Sequence, residues 1–148
     1  MHFVFGGAFN GKAKWVKERY RFRYPNLDWR SAYDPAFNLE QFETVETFSN
    51  GTVLEGIENY VKEKLSEEKN IDKLRSHLNE LLTTWIQWEQ KQTERTLILI
   101  GNDLSKGVVP IDKNDRLWRD VAGWFYQDIA KNADRVDLIW YGIAKRLK

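Results

Sequence analysis

The first thirteen residues restrict the fold more than any other stretch. An apolar run, Phe3-Val4-Phe5, leads into Gly6-Gly7-Ala8-Phe9-Asn10-Gly11-Lys12-Ala13. An apolar strand, a glycine loop and a lysine, in that order, make the pattern of a phosphate-binding P-loop. Gly6 and Gly11 let the backbone curl so that successive N–H groups point at phosphate oxygens. The following helix would add its positive N-terminal end, and Lys12 would reach the outer phosphates. The usual pattern is G-x-x-x-x-G-K followed by Ser or Thr. Ala13 takes that last position here, so the hydroxyl that would hold Mg²⁺ is missing. The alternative is a glycine-rich turn with no ligand.

The remaining composition narrows the classes. A chain of 148 residues, 42% hydrophobic, is expected to form a single domain over 1–148 with a substantial core. A formal net charge of +1 gives no overall bias towards nucleic acid or anionic lipid. The lack of cysteine excludes disulfides, thiolate nucleophiles and cysteine metal sites, and is compatible with a cytoplasmic location. With only His2 and His77, a multi-histidine metal site is excluded. The N-terminus lacks a signal-peptide pattern. No apolar run approaches the roughly 20 residues that span a bilayer. The seven tryptophans are spread along the chain and read as core or subunit-interface residues.

Apolar periodicity gives the order of elements. Residues 2–6 read as a buried strand and about 11–22 as a basic helix, closed by Pro25. Leu27 to Tyr33 could form a second strand before Asp34-Pro35. Residues 36–43 are ambiguous, and Thr44 to Thr47 has short strand propensity. Asn50-Gly51 marks a turn into the compact strand Thr52 to Gly56. Its Glu55 is placed as the carboxylate at the end of a neighbouring strand is placed in P-loop proteins, where that acid holds the metal directly or through water. An exposed strand-end acid is the alternative. Ile57, Tyr60, Val61 and Leu65 mark a short helix, and Asn70 caps a longer one with its stripe at Ile71, Leu74, Leu78, Leu81, Leu82, Trp85 and Trp88. His77 beside that stripe reads as structural or exposed.

Thr96 to Gly101 is almost wholly apolar, which argues for a parallel strand covered on both faces. Asn102-Asp103 and the loop Lys106 to Pro110 follow. Asp112 then caps a helix whose buried stripe is Trp118, Val121, Ala122, Phe125 and Ile129, with Asp115 in capping-box position. Val136 to Gly142 is a final strand. The alternation implies an α/β fold, a mainly parallel sheet flanked by helices. Such sheets bind ligands at the carboxyl ends of their strands, where Lys12, Glu55, Asn102 and Asp103 would gather. That convergence favours a nucleotide or phosphate ligand.

The C-terminal half carries a family resemblance. The segments Ile100-Gly101-Asn102-Asp103 to Val109-Pro110, then Arg116-Leu117-Trp118-Arg119-Asp120-Val121-Ala122-Gly123, Ala133-Asp134 and Arg146-Leu147-Lys148 resemble the bifunctional adenosylcobinamide kinase / adenosylcobinamide-phosphate guanylyltransferase family. That family has an N-E-V-G-like strand end, a G-I-V-P loop and an R-x-x-R-D-x-A-G helix. Its P-loop, G-G-A-R-S-G-K-S, is echoed by Gly6 to Ala13, and its acid-bearing strand by Val53 to Ile57. The likeness covers about residues 95–148 well, the first fifteen fairly and the middle poorly.

The resemblance implies a RecA-like P-loop NTPase fold, GTP or ATP with Mg²⁺, a corrinoid (cobinamide) substrate and homo-oligomeric assembly. It gives Lys12 and Glu55 catalytic roles, with Glu55 at the Mg²⁺. It makes Asn102, Asp103, Arg116, Arg119 and Asp120 further site candidates; for the last three, surface charge is the alternative. The family's guanylyl transfer proceeds through a histidine between the first strand and the acid-bearing strand. This chain has no histidine between His2 and His77, so that activity is expected to be lost. Two functions remain: an NTP-dependent cobinamide kinase, or a non-catalytic binding or partner module built on a degenerate P-loop.

Overall fold

The computed structural model describes residues 1–105 and 110–148. In chain order the elements are β1 (His2–Gly6), α1 (Lys12–Tyr20), β2 (Asp28–Ser31), α2 (Glu40–Glu43), β3 (Gly51–Glu55), α3 (Ile57–Glu67), α4 (Ile71–Gln90), β4 (Thr96–Asn102), α5 (Lys113–Asn132), β5 (Arg135–Trp140) and β6 (Ile143–Arg146). They build one six-stranded sheet in the order β2-β3-β4-β1-β5-β6. Neighbouring strands from β2 to β5 pair in parallel, and β6 returns antiparallel along β5. The expected mainly parallel α/β fold is the one observed.

The continuous apolar strands are explained by burial on both faces. Phe3, Leu54, Leu97 and Leu99 enter one core with the stripes of α3, α4 and α5. Val4, Val53, Ile98, Ile100 and Ile139 enter a second core under Val16 of α1, flanked by Trp15, Leu27 and Trp29. A strand with water on one face would alternate; these do not because neither face meets water. Both anticipated caps form: Asn70 accepts from the Lys73 amide, and Asp112 from the amides of Asn114 and Asp115. The basic residues of α1 lie outside the core apart from Lys12, and several rest on aromatic faces, as Lys17 does on Trp29 and Arg19 on Trp15. Tryptophan usage is mixed: Trp85 and Trp88 are buried, while Trp124 and Trp140 are exposed.

Two local readings change, and a third lies outside the described residues. Residues 45–47 form one turn of 3-10 helix rather than a strand. The segment is too short to extend the sheet. Val45 is buried in the main core, and Arg30 donates to Thr47 Oγ1 and to its carbonyl, which holds the turn closed. The last strand stops at Trp140, because Tyr141 and Gly142 make a two-residue turn into β6, which periodicity did not separate from β5. The segment Lys106 to Val109 of the expected loop lies outside the described residues. Among the described residues no helix is long and apolar enough to cross a membrane.

A polar chain closes the amino-terminal end of the sheet. His2 on β1 is buried; its Nε2 lies 2.7 Å from Asp137 Oδ2 and its Nδ1 2.7 Å from the Tyr20 hydroxyl. A carboxylate only accepts, so Nε2 carries the hydrogen and Nδ1 accepts from the tyrosine. Arg135 also donates to Asp137. Burial pulls the imidazole down from 6.5 to about 4, against the opposing hydrogen bond and charge of Asp137. The fold therefore favours neutral His2, and the unfolded chain takes up the proton first. That preference contributes fully above pH 6.5 and is lost as pH falls from 6.5 towards 4, an effect of about 3 kcal/mol. Urea unfolding of the wild type should show this loss across that window. His2→Gln should flatten the slope there.

Candidate functional site

The site begins with the height at which β1 ends. Gly6 pairs with Asn102 of β4, and β5 passes on the other side. A Cβ at Gly6 would lie 2.1 Å from the Ile139 carbonyl oxygen, so only glycine lets β1 run this close to β5. The chain then turns through 7–11. Gly11 sits at the N-cap of α1 with φ 85°, a left-handed conformation that costs other residues energy.

Lys12 begins α1 and is nearly buried. Its Nζ donates to the Gly7 carbonyl at 2.8 Å, the Gly6 carbonyl at 3.2 Å and Asn102 Oδ1 at 2.6 Å. All three ammonium hydrogens are thus directed across the mouth of the loop. Burial lowers the lysine's pKa, and the charges of Glu58 and Glu55 act against that.

Beneath Asn102 lies a residue that sequence reasoning passed over. Glu58, in the first turn of α3, is 1% exposed. Its Oε2 accepts from the Asn102 amide at 3.0 Å and from the Tyr126 hydroxyl at 2.9 Å. Its Oε1 accepts from Asn102 Nδ2 at 2.9 Å and from the Tyr33 hydroxyl. Burial, reinforced by Glu58, raises the pKa of both tyrosines, so each hydroxyl keeps its hydrogen to donate. The order is therefore Glu58 holding Asn102, and Asn102 holding Lys12. The sequence did contain a signal: Glu58 interrupts the buried phase of a helix carrying Ile57 and Val61, directly after the strand that ends in Glu55.

A cleft of about 470 Å³ opens beside the loop, lined by residues 8–14, Tyr33, Glu55, Ile100 and Asn102. It brings together Lys12, Glu55 and Asn102 with Ala8, Phe9, Asn10, Gly11 and Ala13 of the expected loop; Gly6 and Gly7 meet it through their carbonyls on Lys12. The other candidates face elsewhere. The Asp103 carboxyl turns back to accept from the Ser105 amide and hydroxyl. Arg116 donates to the carbonyls of Pro110 and Ile111, and Arg119 to that of Ser105, so both brace the flanks of the loop before α5. Arg119 and Asp120 border a separate hollow with Trp124 and Tyr126. His77 does not reach the cleft; its Nε2 lies 3.4 Å from the Tyr60 hydroxyl.

Residues 22–147 match the family model for cobinamide kinase / cobinamide phosphate guanyltransferase. The chain belongs to this family. The sheet and its helices are accordingly those of a P-loop NTPase fold. The match starts beyond Lys12, so the reading of residues 6–13 rests on their own pattern and geometry. A 52-residue stretch is 38% identical to the bifunctional adenosylcobalamin biosynthesis protein CobP of Pseudomonas aeruginosa. That stretch is 35% of this chain and spans 30% of the relative's length.

Nucleotide sites on this fold commonly hold Mg²⁺ between a loop hydroxyl, a strand-end acid and the phosphates. Of those two protein groups only the acid, Glu55, is present here, and it would hold the ion directly or through water. Ala13 supplies no oxygen, and Glu55 Oε2 already accepts from the Trp29 indole at 2.9 Å. Among the described residues no three His, Cys, Asp or Glu side chains converge.

Glu58 gives this site its testable property. A glutamine there would turn an amide N–H₂ towards groups that donate. Glu58→Gln should destabilise the fold by about 2 kcal/mol, the order of cost for a buried donor left unpaired. The urea midpoint should fall while the slope of the transition stays the same.

Proposed function

We propose that this chain is a nucleotide-binding member of the cobinamide kinase / guanyltransferase family that has given up guanylyl transfer. The observation that carries this is the Lys12 ammonium, held at the mouth of the glycine loop by Asn102 and two loop carbonyls. A phosphate oxygen arriving there meets the N-terminal end of α1 and the Lys12 ammonium, which would exchange one of its three present acceptors, the Gly6 carbonyl at 3.2 Å being the longest, for the phosphate. GTP and ATP are the ligand class this implies.

The positions of the histidines support the loss of guanylyl transfer. A covalent GMP carrier needs a nucleophilic nitrogen beside the bound phosphates. His2 begins β1, four residues before Gly6, which in a strand is roughly 13 Å away. Both of its ring nitrogens are engaged. His77 lies on α4, paired with Tyr60. The family's corrinoid is the second ligand of this reading. Its side-chain hydroxyl would enter the cleft between Tyr33 and Glu55, where Glu55 Oε1 could orient it towards the outermost phosphate.

Calorimetric titration with GTP and ATP tests the reading. The wild type should bind both, with affinity little changed between Mg²⁺ and a chelator, because the protein adds few ligands of its own to the ion. Lys12→Ala should weaken binding by tenfold or more, the scale of about 1.4 kcal/mol or above for a charge-assisted contact. Unchanged affinity in that variant would remove the loop from the site. Incubation with α-labelled GTP should leave no acid-labile, base-stable label on the protein; such a label would restore guanylyl transfer.

A further inference from the structure

Among the described residues, the two non-glycine residues with positive φ are Phe9, at 60°, and Tyr141, at 47°. Both are aromatic and both project into solvent, at 105% and 79% exposure. They also flank one hydrogen bond. The Gly142 amide donates to the Asn10 carbonyl at 2.8 Å and ties the β5–β6 turn to the glycine loop. Trp140 pairs with Ile143 across that turn, so Tyr141 and Gly142 are its two central residues, both with positive φ. Asn-Gly is the pair such a turn favours. A tyrosine there accepts backbone strain and gains no burial. Strain kept at an exposed aromatic residue beside a ligand loop points towards function rather than folding.

The direction of the cleft says which function. Lys12, Glu55 and Asn102 lie on the β3–β4 side of β1, so the outer phosphates belong there. A nucleoside leaving the loop on the opposite side would pass Asn10 and Gly11 towards the β5–β6 turn. A Cβ on Gly11 would lie 3.5 Å from Gly142 Cα, so loop and turn are in contact along that path. The rings of Trp140 and Tyr141 stand 5.7 Å apart at 34°, a tilted aromatic pair at its end.

We propose that Tyr141, with Trp140 beside it, forms the stacking seat for the purine base of the nucleotide whose phosphates residues 6–13 hold. The proposal rests on the nucleotide-binding reading above and names the part of the site that recognises the base. Stacking on an aromatic face tolerates either purine, since both present a π-face.

Titrations with GTP, ATP and inorganic tripolyphosphate separate the two readings. Tyr141→Asn should bind GTP and ATP about tenfold more weakly, the usual scale for one lost base–aromatic stack. It should bind tripolyphosphate as the wild type does. Its melting temperature should stay level or rise, because asparagine suits the left-handed turn; a merely structural tyrosine would give a fall. Equal GTP affinity in the wild type and Tyr141→Asn overturns the stacking seat and leaves the phosphate loop standing. Loss of tripolyphosphate binding in Tyr141→Asn also overturns it, by assigning the turn to support of the loop. A wild type that binds neither GTP nor tripolyphosphate overturns the reading beneath it.

Discussion

Strand β1 fixes the height of everything at the carboxyl edge of the sheet. It is clamped between two parallel neighbours, with Gly6 opposite Asn102 on one side and beneath the Ile139 carbonyl on the other. A parallel register cannot slip by one residue without turning Phe3 and Val4 into the wrong cores. Lys12 therefore starts α1 at a fixed point, within reach of Asn102 from a separate strand. Every contact attributed to the site descends from that register.

The second constraint is the buried carboxyl of Glu58. It gathers donors from β4, from α5 and from the segment after β2, and so joins three parts of the chain behind the cleft. A group buried this deeply is tolerated only when its acceptors are filled, and here four donors fill them. The same arrangement orients Asn102, whose amide nitrogen faces Glu58 and whose oxygen faces Lys12. Stability and positioning are carried by one network.

The site also divides into two sides of differing chemistry. Towards β3 it is polar, with Glu55, Tyr33 and Asn102 around the cleft. Towards β5 it is aromatic and exposed, with Trp140 and Tyr141 on a turn hydrogen-bonded to the loop. A nucleotide has the same polarity, phosphates at one end and a flat base at the other. Neither histidine meets the cleft: His2 is bonded to Asp137 and Tyr20, and His77 lies beside Tyr60.

The sequence by itself determined the order of elements and the parallel sheet, because uninterrupted apolarity in Val53-Leu54 and Leu97 to Ile100 is stable only with cover on both faces. It also placed the glycine loop, Lys12, Glu55 and Asn102 at one edge, since the ends of parallel strands fall together. Only the tertiary structure showed that Arg116, Arg119 and Asp120, at the start of α5, do not line the Lys12 cleft, because helix periodicity fixes the face of α5 but not what its exposed side chains reach. It alone revealed Glu58, whose role depends on donors 44 and 68 residues away in sequence. It alone split the last strand into β5 and β6, because a Tyr-Gly turn with two positive φ angles leaves no mark in the apolar pattern on either side. Local propensity acts over a few residues; the partners of a buried polar group are chosen by the packing of the whole sheet.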